Sequence, residues 1–149
     1  MSDRLKKEKI DIVNPKALRI GIVRSLYNQD ITDQQLARAT ECLEEHGVAY
    51  DVIDVTGTFE IAYMLQRMAE SKKYNGLVAL GCLIKGETSH YDIIANAIGE
   101  AVMNLIREYK LPIGFGIITA FEKDQAIARD WLGHDAAYAV LHSLNQLQK

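Results

Sequence analysis

Two rhythms of apolar residues take turns along this chain: short, nearly unbroken runs, and longer segments in which apolar positions recur at helical spacing. The runs are residues 18–23 (LRIGIV), 50–55 (YDVIDV), 77–84 (LVALGCLI) and 113–118 (IGFGII). Each has the length of a strand. The third is almost wholly apolar, as a strand covered on both faces would be, while the second alternates with acidic residues and predicts a more exposed position. Between the runs, Leu36, Ala37, Ala39 and Leu43 mark a helix that Thr32 or Asp33 would cap and that ends with His46 before Gly47. Residues 60–71 place Ile61, Met64, Leu65 and Met68 on one face. Residues 91–109 carry apolar side chains over more than a single stripe, so part of that helix is predicted to meet another subunit as well as the sheet. Helices near 122–128 and 134–147 close the chain, with Gly133 expected to separate them.

Strands alternating with helices predict a four-stranded parallel sheet joined by right-handed crossovers, in the order 2-1-3-4, with helices on both faces. Residues 17–149 then form a single domain. Residues 1–16 read as an extended N-terminal arm punctuated by Asn14 and Pro15; the alternation of Ile10 and Ile12 fits either a short edge strand against a neighbouring subunit or a flexible tail.

Composition narrows the function classes. At 149 residues, 48% hydrophobic and 25% charged, the chain has enough apolar material to cover both faces of one sheet. A net charge of -3 leaves no basic footprint, so neither nucleic acid nor an anionic membrane is an expected partner. Cys42 and Cys82 are far apart in apolar settings, which predicts reduced, buried thiols and a cytoplasmic location. The charged start MSDRLKKEK has no apolar signal core, and no apolar run reaches the ~18 residues of a membrane span.

In an open sheet of this order, ligands sit beyond the carboxyl ends of the strands where the order reverses, between strands one and three. Three loops converge there. The first offers Tyr27 and Asn28, the second Phe59 and Glu60, and the third the turn GCLIKGETSHYD. In that turn Lys85 and Gly86 stop the strand and Thr88 or Ser89 can cap the next helix. Free backbone N–H groups, two hydroxyls and a cation thus meet in one small space suited to an anion such as phosphate. His90 stands at its rim, and an imidazole is the side chain best matched to proton transfer near neutrality. Taken singly, Tyr27 and Phe59 are packing residues, Glu60 a stabilising charge at a helix start and Arg129 a solvated helix residue; their convergence is what points to a site. There is no GxxxxGKS/T loop, no GxGxxG fingerprint and no zinc-like spacing, so nucleotide hydrolysis, dinucleotide redox and metal catalysis are disfavoured.

The segments IGIVRSLYNQDIT, GTFEIA, LGCLIKGETSHYD, PIGFGIIT and DQAIAR, spread over residues 18–144, resemble the lumazine synthase family of riboflavin biosynthesis. The resemblance implies a flavodoxin-like three-layer αβα subunit and an enzyme, a transferase. It would condense 5-amino-6-(D-ribitylamino)uracil with 3,4-dihydroxy-2-butanone 4-phosphate to 6,7-dimethyl-8-ribityllumazine, with no metal and no organic cofactor. Carried over by position, Tyr27 stacks on the pyrimidine, while Asn28, Phe59 and Glu60 lie along it and its ribityl chain. Backbone groups near Leu83 and Ile84 address the ring edge, Gly86, Glu87, Thr88, Ser89 and Arg129 bind phosphate, and His90 transfers protons. Phe115 matches an aromatic position supplied by the adjacent subunit, which implies a homo-oligomer built on a pentamer, with riboflavin synthase as a candidate partner. The chain departs from the family pattern at Leu132–Gly133, where a lysine is usual before the glycine; Lys85, Arg24 or His134 are the candidate replacement cations. A non-catalytic paralogue binding flavin or lumazine, or a shell subunit with a vestigial site, are the competing readings.

Overall fold

The computed structural model describes residues 7–148. Four strands, β1 (Arg19–Ser25), β2 (Ala49–Val55), β3 (Gly76–Ile84) and β4 (Ile113–Ala120), form one parallel sheet in the order β2-β1-β3-β4. The order is the one predicted, and strand ends shift by no more than two residues. β3 lies in the interior of the sheet and is buried from Gly76 through Leu83, whereas β2 at the edge alternates toward solvent. The apolar run and the acidic alternation in the sequence report these two environments.

The pleat divides β3 between two cores. Leu77, Ala79 and Leu83 face α2 (Ile61–Glu70) and α3 (His90–Tyr109), meeting Ile61, Leu65 and Met68 from the first and Ile98, Val102 and Leu105 from the second. Val78 and Leu80 face the other way, onto α1 (Gln29–Glu45) and α5 (Leu132–Gln146), through Ala39, Cys42 and Leu43 and through Ala137, Val140 and Leu141. The result is the expected three-layer arrangement, completed by the short α4 (Lys123–Ile127) beyond β4.

Two expectations at helix ends are corrected. Thr32 and Asp33 do not cap α1, which starts four residues earlier than Asp33, at Gln29, after Asn28 in a left-handed conformation (φ 57) without any side-chain cap. Gly133 does not separate the last two helices either: it is the second residue of α5, and residues 128–131 make the turn. Its role is close approach. A Cβ at Gly133 would stand 2.1 Å from the carbonyl oxygen of Gln35, and one at Gly114 would stand 2.2 Å from that of Ala136. These two absent side chains let α5 lie directly against α1 and β4.

The described part of the arm forms no strand within the chain. It runs along α5 and the end of α1, held through its main chain. Tyr138 Oη donates to the Glu8 carbonyl (2.7 Å), Ile10 N–H donates to His46 Nε2 (3.0 Å), Asn145 Nδ2 donates to the Asp11 carbonyl (3.2 Å), and Val13 N–H donates to Asn145 Oδ1 (3.0 Å). His46, at the end of α1, is thus a clip for the arm; its Nδ1–H is directed at the Cys42 carbonyl at 2.7 Å.

Candidate active site

The loop after β1 is fixed from three sides. Ser25 is fully buried and its Oγ accepts the Tyr27 N–H (3.2 Å), the Leu26 N–H donates to the Val55 carbonyl (2.8 Å), and the Asn28 amide donates to the Cys82 carbonyl (2.9 Å). These bonds tie the loop to both neighbouring strands and leave the Tyr27 ring 65% exposed beyond the sheet edge. After β2, Thr56 Oγ1 donates to Glu60 Oε1 (3.2 Å) and Glu60 N–H to the Gly57 carbonyl (3.2 Å), a compact turn that projects Phe59 outward, 60% exposed. After β3, the Lys85 N–H makes the last sheet bond, to the Ala120 carbonyl at 2.9 Å. Residues 86–89 are then exposed, and Thr88 Oγ1 accepts the His90 N–H (3.3 Å) as α3 begins.

Together these three loops enclose a cleft of about 650 Å³. Tyr27, Phe59, Glu60, Leu83, Ile84, Gly86, Thr88 and His90 line it, so the structure brings together residues from all three predicted loops. Gly57 and Thr58, from the second predicted loop, also line it, as do Tyr91, Ile93 and Ile94, which were not anticipated. The signal for the last three was the breadth of apolar coverage on α3, which reaches its first turn. Thr58 carried a fainter one, its place inside the TGTFE turn. Its Oγ1 is buried and has no hydrogen-bond partner within the described residues.

The other predicted residues do not line the cleft. Asn28 uses its amide as a brace on Cys82. Glu87 and Ser89 are exposed in the turn, and Lys85 places its Nζ 5.5 Å over the Phe121 ring. Arg129 is exposed after α4, with Nη1 donating to the Gln125 carbonyl (2.8 Å). Phe115 lies on β4 opposite Ala79, four register steps before the Leu83–Thr119 pair and so roughly 13 Å from this chain's own cleft edge.

Two of the candidate replacement cations are corrected. Arg24 is only 7% exposed and clasps Asp54 through Nε (3.0 Å) and Nη2 (3.2 Å) and Asp33 through Nη1, so it is not available to a ligand. His134 pairs with Asp135 (3.1 Å) and stacks on Tyr138, the residue that holds the arm, away from the cleft lining. Neither thiol is a nucleophile candidate: burial pushes Cys42 up to about 12 and Cys82 up to about 11. Among the described residues no group of His, Cys, Asp and Glu converges as a metal site, and no helix is long and apolar enough to cross a membrane.

An apolar-walled cleft with an anion-type turn and an imidazole at one end suits a flat polar ring joined to a phosphorylated partner. Comparison with known proteins gives the same direction. The family model for 6,7-dimethyl-8-ribityllumazine synthase matches residues 17–148. Curated proteins of that name are similar over most of their length: one from Azoarcus sp. (strain BH72) is 38% identical across 91% of this chain and 90% of its own. One from Thermococcus gammatolerans is 36% identical across 90% of each, and one from Limosilactobacillus reuteri is 40% identical across 78% of this chain and 77% of its own. With its sheet order, its three converging loops and a match that spans the whole domain, the chain belongs to the 6,7-dimethyl-8-ribityllumazine synthase family.

Proposed function

We propose that this chain is a transferase of riboflavin biosynthesis that condenses 5-amino-6-(D-ribitylamino)uracil with 3,4-dihydroxy-2-butanone 4-phosphate, releasing 6,7-dimethyl-8-ribityllumazine, phosphate and water. The observation that carries it is the cleft itself, in which Tyr27 and Phe59 stand with Leu83, Ile84, Gly86, Thr88 and His90. In the proposed assignment the pyrimidine stacks on Tyr27 and Phe59, its edge meets the backbone of Leu83 and Ile84, and Glu60 accepts hydroxyl hydrogen bonds from the ribityl chain. The exposed turn of Gly86, Glu87, Thr88 and Ser89 receives the phosphate with help from Arg129. Lys85, whose ammonium makes no salt bridge within the described residues, is the better placed of the replacement cations.

The chemistry needs little more than this. Attack of the 5-amino group on the ketone and loss of water form an imine; elimination of phosphate follows, and ring closure by the ribitylamino nitrogen onto the remaining carbonyl expels a second water. Each step moves protons near neutral pH, the work assigned to His90, while holding two substrates face to face removes most of the entropic barrier. No step calls on a metal or an organic cofactor.

Assembly belongs to the same reading. Phe115 is 43% exposed on β4, Tyr63 and Ile93 are each 60% exposed, and a groove of about 550 Å³ between α2 and α3 continues from Phe59 and Glu60. A homo-oligomer with a pentameric unit, in the cytoplasm and in contact with riboflavin synthase, would cover that apolar surface and bring a neighbour's Phe115 to the cleft.

The test is the condensation assay at pH 7, with product absorbance followed against the uncatalysed rate. Turnover well above background that falls by ~10² or more in His90→Ala, at unchanged particle size, is the expected result. No rate above background from folded wild-type protein would favour the ligand-binding paralogue instead.

A further inference from the structure

An ionic clasp between a buried arginine and two half-exposed carboxylates, outside the cleft, has no part in the chemistry just described. Arg24, at the carboxyl end of β1, is 7% exposed; its Nε and Nη2 grip both oxygens of Asp54 at the end of β2 (3.0 and 3.2 Å), and its Nη1 grips Asp33 on α1. Removing a guanidinium from water is costly, and an apolar residue of similar volume at such a place is commonly at least as stabilising as an ion pair. What an arginine adds is direction. Its planar fork holds a carboxylate at two points and fixes distance and angle together.

The positions it fixes are significant. Three residues after Arg24 comes Tyr27, and five after Asp54 comes Phe59, the two aromatic rings of the cleft. The strand register pairs Arg24 directly with Asp54, and the next link outward is the Leu26 N–H to Val55 carbonyl bond at 2.8 Å. Asp33 joins the same guanidinium to the second turn of α1, so the strand, its neighbour and the helix that follows the Tyr27 loop meet at one side chain. The turn of Gly86 to Ser89 hangs from β3, which pairs with β1 through its backbone at Leu80, but among the described residues the guanidinium grips only Asp54 and Asp33 and touches no side chain of that turn.

We infer that Arg24 is a positioning residue that sets the separation of Tyr27 and Phe59 and thereby governs binding of the ribitylated pyrimidine, but not of phosphate. This rests on the function proposed above, so the experiment measures binding separately from turnover. Wild type, Arg24→Met, Arg24→Lys and Asp33→Asn would be titrated by calorimetry with a ribitylated uracil lacking the 5-amino group, and separately with inorganic phosphate, alongside KM for both substrates. Arg24→Met should weaken the uracil and raise its KM by tenfold or more, with the phosphate ligands changed less than twofold. Arg24→Lys, which keeps the charge without the fork, should fall between. Asp33→Asn removes only a half-exposed partner and should weaken the uracil alone by a few-fold, which keeps the inference testable if Arg24→Met does not fold. Equal loss for uracil and phosphate would make the clasp a general structural element and overturn the inference, as would unchanged binding of both in folded variants. A wild-type chain that binds neither ligand would instead overturn the functional reading, and the inference with it.

Discussion

Asp51 carries an ionisation displaced by its partners, Arg19 first and Tyr74 second. The Arg19 guanidinium and the Tyr74 hydroxyl (2.7 Å) hold its carboxyl below the usual 3.8, at about 2, while burial and the bond to Asp51 push Tyr74 up to about 12. The signs are opposite. Asp51 prefers to be ionised when folded, so its contribution is complete above pH 3.8 and is lost as pH falls toward 2. Tyr74 prefers to stay protonated when folded, so its contribution is complete below pH 10 and is lost as pH rises toward 12. Urea midpoints measured across pH should therefore fall on both flanks, and Asp51→Asn should flatten the acid flank and lower the Tyr74 titration at once. This cluster ties β1 and β2 to Tyr74 before β3, well away from the cleft. The variant should keep its activity at neutral pH.

At the scale of elements, the helix α5 depends on what is missing from it. A methyl at Gly133 would stand 2.1 Å from the Gln35 carbonyl, and backbone cannot swing aside as a side chain can. Gly133→Ala should destabilise by about 3 kcal/mol, the upper part of the usual range for overfilled interiors. The melting temperature should drop by roughly 10 °C in a thermal scan. A change of a degree or two would mean that α5 slides freely on α1. The same position shows where reading a sequence stops. Periodicity located α5 and its apolar face, because spacing along one helix is a local property. It could not tell a glycine that ends a helix from one that admits a neighbour, because the neighbour is Gln35, nearly a hundred residues away in sequence. The start of α1 failed for a related reason: the helix begins at Gln29, so Thr32 and Asp33 lie inside it, where Thr32 Oγ1 donates to the Gln29 carbonyl and Asp33 accepts from Arg24. The three cleft loops were legible because each directly follows a strand whose place in the sheet was itself legible. Arg24 stood among the candidate replacement cations because only the folded register puts Asp54 beside it.

For the whole molecule, the proposed assembly would complete each cleft with a residue from a neighbouring chain. Phe115 faces outward on β4, remote from its own cleft, which makes a sharp expectation about mixtures. His90→Ala and Phe115→Ala subunits should each be poorly active alone. Dissociated and reassembled together, they should regain a substantial fraction of activity, because some interfaces then pair an intact His90 with a neighbour's intact Phe115. No recovery in mixed particles of normal size would place both residues in one subunit's work. The seat of the arm has a different consequence, one for anyone who would attach something to this protein. Tyr138, His46 and Asn145 grip the main chain at Glu8, Ile10, Asp11 and Val13, while Ile10 and Ile12 pack on the core and Lys7 pairs with Asp135, so the seat holds a path and leaves the outward positions along it open. Only proline is barred outright at residues 10 and 13, where an N–H is required. The arm is therefore a natural place to graft a foreign peptide, whose outward side chains can be rewritten while the anchor beneath them holds.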